Sequence, residues 1–359
     1  MGARVMIMAG GTGGHVFPAL AVAQDLRERG MEVFWLGTRS GLEGRIVPEA
    51  GFPMEWIEVQ GLRGSGLMRW LVAPFKLTLA MFQSLQVLRR QKPRVVLGMG
   101  GFVTGPGGVM AWLLGIPLVI HEQNAIPGMT NRWLSRIAHR VLEAFPGSFG
   151  PERHAEVMGN PVRLEIASLA EPAERMANRS GPLRLLILGG SLGAQALNET
   201  VPAALALLDS DSRPQVRHQT GRDKQQLTCD AYQRAGVEAD VQPFIADMAE
   251  AYGWADLVIC RAGALTISEL AAAGVGALLV PYPYAVDDHQ TRNADFLVSA
   301  GAAQLMPQHE LNPEGLAECL RGLLGSREKA FAMAQAARKL AQPLATKRVA
   351  DVCEEELGR

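Results

Sequence analysis

Short apolar runs alternate with longer amphipathic stretches along the whole chain. Runs such as Val5 to Ala9 are apolar at successive positions, which fits strands covered on both faces. The pattern predicts strands at 4–9, 32–37, 54–59, 94–99, 117–121, 140–144 and 156–158. After a polar stretch, a second series is predicted at 183–189, 215–219, 239–242, 257–260, 277–281 and 303–306. Helical periodicity fills the intervals, as at Val16–Arg29 and Met129–Ile137. This alternation predicts an α/β chain with two doubly wound, Rossmann-like halves.

The polar stretch Glu171 to Pro182 contains no buried strand and reads as surface. With a hinge near Asn160–Arg163, residues 1–162 form a first domain and 163–342 a second. The helical stretch Ala330–Leu357 breaks at Pro343 and belongs to neither sheet; residues 343–359 are expected to pack back on the first domain. Each half opens alike, with "VMIMAGGTGG" at Val5–Gly14 and "LLILGGSLGA" at Leu185–Ala194. Two such halves facing each other form a cleft at the carboxyl ends of both sheets, where folds of this kind bind ligands.

Composition narrows the function classes. At 359 residues, two domains are the natural expectation. A chain 48% hydrophobic and 20% charged, with 39 Gly and 21 Pro, is globular and rich in turns. Its net charge of −1 supplies no overall field for nucleic acid. Cysteines 229, 260, 319 and 353 lie far apart with no zinc spacing, which suits free thiols in a reducing compartment. A Gly-rich loop stands where a signal peptide would be cleaved, so no secretory leader is expected. Residues 95–120 carry no charge until His121, but seven glycines and two prolines interrupt them. They read as a strand, a Gly loop, a short helix (Val109–Leu114) and another strand, not a membrane span.

The loops carry the candidate chemistry. "MAGGTGGHVFPAL" (8–20) joins strand to helix and invites comparison with a dinucleotide fingerprint. The third glycine position holds Val16, and strand two ends "WLGTR" with no acid for a ribose, so an NAD site fails on two counts. A general anion site at the helix start survives, as does a plain tight turn. His15 follows directly, at the loop's ligand-facing end. "GMGGFVTGPGG" (98–108) has six glycines in eleven residues, as a backbone needs when a ligand or another loop approaches closely. "GGSLGA" (189–194) offers a second diphosphate site, where Ser191 adds a hydroxyl. Two phosphate sites across one cleft imply two phosphorylated substrates. In "RAGALTISELAAAG" (261–274), Glu269 either holds two ribose hydroxyls or simply complements the helix dipole. "DDHQTRNA" (287–294) and "HEQN" (121–124) put polar groups at the same rims. "DSD" (209–211) imitates a metal-binding D-x-D but sits in a solvated loop, so no metal is expected.

The stretch "GLMRWLVAPFKLTLAMFQSLQVLRR" (66–90) is apolar around too much of its circumference for a helix with one buried face. Trp70, Leu71, Phe75, Leu79 and Phe82 are interspersed with Arg69 and Lys76. That suits either a helix lying on an anionic membrane surface or a thickly buried core helix.

Taken together, "GGTGGHVFPALAVA", "GMGGFVTGPGG", "HEQNAIPGMTNRWL", "GNPVR", "GGSLGAQALN" and "RAGALTISELAAAG" resemble the MurG family, in that order and spacing. The resemblance runs from residue 4 to about 300. It implies a GT-B fold and an inverting N-acetylglucosaminyltransferase with no metal and no cofactor. Such an enzyme moves GlcNAc from UDP-N-acetylglucosamine (UDP-GlcNAc) to the C4 hydroxyl of MurNAc in undecaprenyl-linked lipid I, giving lipid II for peptidoglycan. The implied location is the cytoplasmic face of the anionic inner membrane, with other cell-wall synthesis proteins as candidate partners.

The resemblance also implies residue roles. The second domain holds the donor: Ser191 at the diphosphate, Arg163 near nucleotide and phosphates, and Ile245 meeting uracil through its backbone. Glu269 takes the ribose, and Ala264, Leu265, Thr266, Ile267 and Ser268 line the sugar and phosphate region. Gln290 addresses GlcNAc hydroxyls; its neighbour His289 stands where the family often has glutamine. From the first domain, Thr12, Gly13, Gly14 and Asn124 close on the donor sugar and acceptor. Gly11, Gly101 and Gly105 are expected at the acceptor diphosphate. Trp70, Leu71, Phe75, Lys76, Leu79 and Phe82 meet the membrane. His15 is the candidate base for the C4 hydroxyl, with Glu122 or no base at all as rivals. A GT-B-like UDP-GlcNAc 2-epimerase and a membrane-recruited nucleotide-sugar sensor are the competing functions.

Overall fold

The computed structural model describes residues 2–59, 67–190 and 193–358, with the backbone alone at 67–73 and 286. They form two compact units, Met1–Arg163 with Pro343–Arg359, and Leu164–Gln342. Arg163 therefore groups with the first unit, not the second, and its guanidinium lies 5.8 Å from the Phe17 ring centroid.

In the first unit the strands are β1 (Arg4–Met8), β2 (Glu32–Gly37), β3 (Met54–Trp56), β4 (Val95–Gly98), β5 (Leu118–Glu122), β6 (Arg140–Glu143) and β7 (Glu156–Val157). They pair in parallel in the order β3-β2-β1-β4-β5-β6-β7. In the second unit β8 (Arg184–Leu188), β9 (Gln215–Gln219), β10 (Asp240–Gln242), β11 (Leu257–Cys260), β12 (Gly276–Leu279) and β13 (Ala303–Leu305) pair in the order β10-β9-β8-β11-β12-β13. The strand interiors are buried on both faces, as unbroken apolar runs require. Both orders reverse direction beside the first strand of the unit, between β1 and β4 and between β8 and β11. In open parallel sheets the loops flanking that reversal, at the strand carboxyl ends, form the ligand crevice.

Two helices begin earlier than the sequence suggests. Gly13–Glu28 starts inside the first Gly-rich loop, and Thr104–Leu113 starts inside the second. Amides of a first helical turn have no partner within the helix and point out of its end. The remaining uncharged stretch is β4, this helix and β5; among the described residues no helix is long and apolar enough to cross a membrane.

The segment read as a polar surface carries no strand and is mostly exposed, as anticipated, but it is anchored at a few points. Pro172 and Met176 of the short helix Pro172–Met176 are buried. Arg175 donates to the Ala273 and Gly274 carbonyls at 2.7 Å each, closing the end of helix Ala264–Ala273. Burial, with Arg179 and Arg338 alongside, pushes the Arg175 guanidinium down to about 10. Arg179 pairs with the buried Asp256 carboxylate, which also accepts from the Arg184 amide (2.9 Å) and faces Arg327 (3.2 Å).

Helix Ala345–Leu357 packs on helix Gly13–Glu28 of the first unit. Its Val349, Ala350, Val352 and Cys353 share a core with Val16, Ala19, Val22 and Leu26. Arg29 pairs with Asp351 and Glu354 at the rim of that contact.

Candidate active site

In the first unit, three loops meet at the carboxyl ends of β1, β4 and β5. The Gly10 amide donates to the Gly100 carbonyl (3.3 Å), which also accepts from Thr104 Oγ1 (2.8 Å). Gly100 and Gly101 have φ of 97° and 88°, a region that strains any side chain. A Cβ on Gly101 would strike the Gly10 carbonyl, and one on Gly100 would stand 2.7 Å from His15 Nδ1. The glycines of the second loop thus admit the first loop and the His15 ring.

His15 is half-buried at the start of its helix, and its Nδ1 lies 2.8 Å from Gln123 Oε1. Gln123 Nε2 lies 3.1 Å from His121 Nδ1, and His121 Nε2 lies 2.9 Å from the Gly159 carbonyl. His121 is wholly buried, which pushes its imidazole down to about 4. "HEQN" is therefore not a polar rim: His121, Glu122 and Gln123 are buried, and only Asn124 reaches partial exposure.

Glu122, the rival base, is occupied. Its Oε1 accepts from the Asn124 amide (2.9 Å) and Nδ2 (3.1 Å), and its Oε2 from the Gly128 amide (3.0 Å) and Asn131 Nδ2 (2.9 Å). A carboxylate that accepts four hydrogen bonds from residues 124–131 is a scaffold for its loop. The buried Glu43 braces the first loop in the same way. It accepts from the Gly11 amide (3.1 Å), the Thr38 amide (3.1 Å) and Thr38 Oγ1 (2.7 Å). The Gly11 amide is thereby spent on Glu43 and does not point at a diphosphate. Thr12, Gly13 and Gly14 lie at the open helix start, where no side chain caps the first turn. Gly105 meets only ordinary contact with Thr130.

In the second unit, the loops after β8 to β12 share one sheet edge. Ser191 lies outside the described residues. Helix Ala264–Ala273 begins at Gly263 with no acidic residue in its first turn and no side-chain cap, which leaves the amides of Ala264, Leu265 and Thr266 for an anion. Ile267 is fully buried in the core, and Ser268 Oγ donates to the Ala264 carbonyl (3.0 Å), so both shape the helix from within. Glu269 sits in the second turn, too deep to serve as a dipole complement, and accepts from Tyr252 Oη at 3.1 Å. The Ile245 amide donates to Gln219 Oε1 (3.0 Å), so of its backbone only the carbonyl is left for a base. Gln290 Oε1 accepts from the Tyr282 amide (2.8 Å), which turns its NH2 into the group available for a sugar oxygen.

Models of the glycosyltransferase family 28 N-terminal and C-terminal domains match residues 5–143 and 184–352. The chain belongs to glycosyltransferase family 28. It is 60% identical over 355 residues, 99% of each chain, to the UDP-N-acetylglucosamine–N-acetylmuramyl-(pentapeptide) pyrophosphoryl-undecaprenol N-acetylglucosamine transferase of Nitrosococcus oceani. To the protein so named from Methylococcus capsulatus it is 59% identical over 358 residues, all of both chains. The crystal structure of Acinetobacter baumannii MurG superimposes with a TM-score of 0.86 at 46% identity, covering 98% of this chain and 99% of that one. This places the family-28 chain with the MurG enzymes, and its two Rossmann-like units are those of the GT-B fold. A Neisseria meningitidis UDP-GlcNAc 2-epimerase matches with a TM-score of 0.68 at 12% identity over 98% of this chain and all of that one, a likeness of fold alone.

The apolar segment of this family-28 chain is helix Leu67–Gln91. The Trp70 and Leu71 side chains lie outside the described residues. From residue 80 onward the helix does bury one face, through Ala80, Ser84, Val87 and Leu88. Residues 74–79 are exposed throughout, with Phe75 at 78% and Phe82, two turns on, at 55%. Lys76 and Leu79 share that exposure. Asp209 and Asp211 of "DSD" are exposed on a 3-10 turn, and among the described residues no cluster of three His, Cys, Asp or Glu is placed to hold a metal ion. Glu43, Tyr252 and Gln219 were not foreseen: each acts by holding another residue, which no local motif announces.

Proposed function

We propose that this enzyme transfers GlcNAc from UDP-GlcNAc to lipid I, the undecaprenyl-pyrophosphoryl MurNAc-pentapeptide, forming lipid II. The observation that carries this reading is near-60% identity over full length to two transferases of that name. The second unit takes the donor. Amides at the start of helix Ala264–Ala273, with the Ser191 loop, stabilise the charge that develops on departing UDP. Glu269, oriented by Tyr252, accepts hydrogen bonds from the ribose hydroxyls. The Gln290 NH2 meets a GlcNAc oxygen, and the Ile245 carbonyl meets uracil.

The first unit takes the acceptor. Thr12, Gly13, Gly14 and Asn124 surround the point of transfer, with Gly105 beside the acceptor diphosphate and Gly101 letting the two Gly-rich loops close against each other. His15 removes the proton of the C4 hydroxyl as the bond from C1 to UDP breaks, with inversion and without a metal ion. The test is a transfer assay with sugar-labelled UDP-GlcNAc and a short-chain lipid I analogue, EDTA present. Label is expected in the lipid product. Label retained on the nucleotide, with the sugar epimerised, would instead favour the epimerase.

In the same assay Glu269→Ala is expected to raise the donor KM roughly ten- to hundredfold, the loss of one or two hydrogen bonds to a charged group. An unchanged donor KM would remove Glu269 from the ribose site.

The exposed turn 74–79 suits a helix resting on an anionic membrane surface, where Phe75, Leu79 and Phe82 enter the interface and Lys76 meets headgroups. Phe75→Glu combined with Phe82→Glu is expected to weaken binding to anionic vesicles by roughly tenfold or more, given about 1.5–3 kcal/mol for each buried phenyl. UDP binding should be spared. Equal sedimentation of variant and wild type with vesicles would rule this surface out.

A further inference from the structure

Three buried groups stand behind His15, and their hydrogen-bonding capacities leave one consistent arrangement of protons. A carbonyl oxygen only accepts, so the Gly159 carbonyl, 2.9 Å from His121 Nε2, requires a hydrogen on that nitrogen. His121 is completely buried, and its burial favours the neutral ring. A neutral ring protonated at Nε2 has a bare Nδ1, which must accept. The group 3.1 Å away is the Gln123 amide, whose NH2 therefore faces His121. A second contact of that NH2, 3.3 Å from the His121 carbonyl, favours the same orientation. Rotating the amide by half a turn would set its oxygen against both the bare nitrogen and the carbonyl, or would demand a buried imidazolium. With the NH2 fixed, Gln123 Oε1 faces His15 Nδ1 at 2.8 Å, and that nitrogen must carry the hydrogen.

We propose that Gln123 and His121 are positioning residues that hold His15 as its Nδ1–H tautomer and so leave Nε2 with the lone pair. An unconstrained neutral imidazole favours the opposite tautomer, with hydrogen on Nε2, which cannot accept a proton there. Gln123 is 1% exposed and His121 not at all, so solvent does not compete for either contact. Asn131 Nδ2 donates to the His121 carbonyl at 3.0 Å and holds the backbone of the relay. The Gly100 backbone, with no Cβ to displace the ring, lies close against it. This is the logic by which a buried partner sets the tautomer of a general base in hydrolytic triads. Here a neutral amide does it, so no charge is buried beside an anionic acceptor. The inference rests on the reading of His15 as the base.

The test uses the full-length enzyme labelled with 15N-histidine, the His15 signals being assigned by their loss in His15→Asn. The wild type is expected to show a protonated Nδ1 and an unprotonated Nε2 at His15. Gln123→Met, similar in size but unable to accept, is expected to shift His15 towards the Nε2–H form. Its kcat should fall by roughly 10²-fold, the lower end of what a positioned base contributes, with the UDP-GlcNAc KM unchanged. Gln123→Glu, which still accepts, should restore the Nδ1–H signature. A wild-type spectrum showing Nε2–H, or an unaltered spectrum in Gln123→Met, overturns the relay. An altered spectrum with full kcat leaves the relay standing but overturns the reading of His15 as the base. Should Gln123→Met fail to fold, the wild-type spectrum alone decides the tautomer.

Discussion

Replacing His15 with alanine is expected to lower kcat for transfer by roughly 10²–10⁴-fold, the usual contribution of a positioned general base, while leaving UDP-GlcNAc binding intact. The two effects separate because His15 belongs to the first unit and the donor loops to the second. The ring is half-buried, and its hydrogen bond is to Gln123. Truncation therefore removes a proton acceptor and leaves the sheet core untouched. Glu122 is committed elsewhere, both of its oxygens accepting hydrogen bonds from its own loop and Asn131. Single-turnover transfer measured beside calorimetric UDP-GlcNAc binding is the check. A full transfer rate in His15→Ala would take the base role away from this residue.

Asp256→Ala is expected to destabilise the second unit by about 3–5 kcal/mol, the range for removing one partner of a buried ion pair. Asp256 is 1% exposed and faces Arg179 and Arg327 while accepting from the Arg184 amide at the start of β8. Without it, the Arg179 guanidinium, 7% exposed, keeps carbonyl partners at Gly253 and Ala255 but loses its countercharge. The 171–182 segment would come loose from the unit it borders. Hydrogen exchange of the full chain should show protection falling across β8 and β11 and unchanged across β1 and β4. Equal protection in all four strands, with an unshifted urea midpoint, would mean the pair is dispensable.

The sheets were legible in the sequence because a strand buried on both faces has no polar alternation to disguise it. Each of the thirteen strands among the described residues overlaps a stretch anticipated from apolar runs, with β5 and β12 running one residue beyond theirs. Helix starts were less legible, since glycine marks both a turn and a site of close approach. Gly107 and Gly108 read as loop, yet both lie in a helix whose backbone presses on neighbours: a Cβ on Gly107 would strike Met8, and one on Gly108 would stand 2.9 Å from Leu134. The segment 171–182 is mostly exposed, as read, but what anchors it was not legible. Arginine usually signals solvent, but Arg175 and Arg179 find backbone carbonyls at helix ends, partners no residue pattern records. At the site, His15 and Glu269 stood out as polar groups after Gly-rich or apolar stretches. Gln123, Tyr252 and Glu43 did not, because what they touch is distant along the chain.

The return of helix Ala345–Leu357 to the first unit has a consequence for how the protein is made. The apolar face of helix Gly13–Glu28 emerges from the ribosome early, but the side chains that cover it are encoded after the whole second unit. At typical synthesis rates the wait is roughly fifteen to sixty-five seconds. During that time the second unit can fold on its own, whereas the first holds an incomplete core. The nascent chain is thus most exposed to aggregation and chaperone capture through its earliest helix, and a premature stop near its end would injure the beginning.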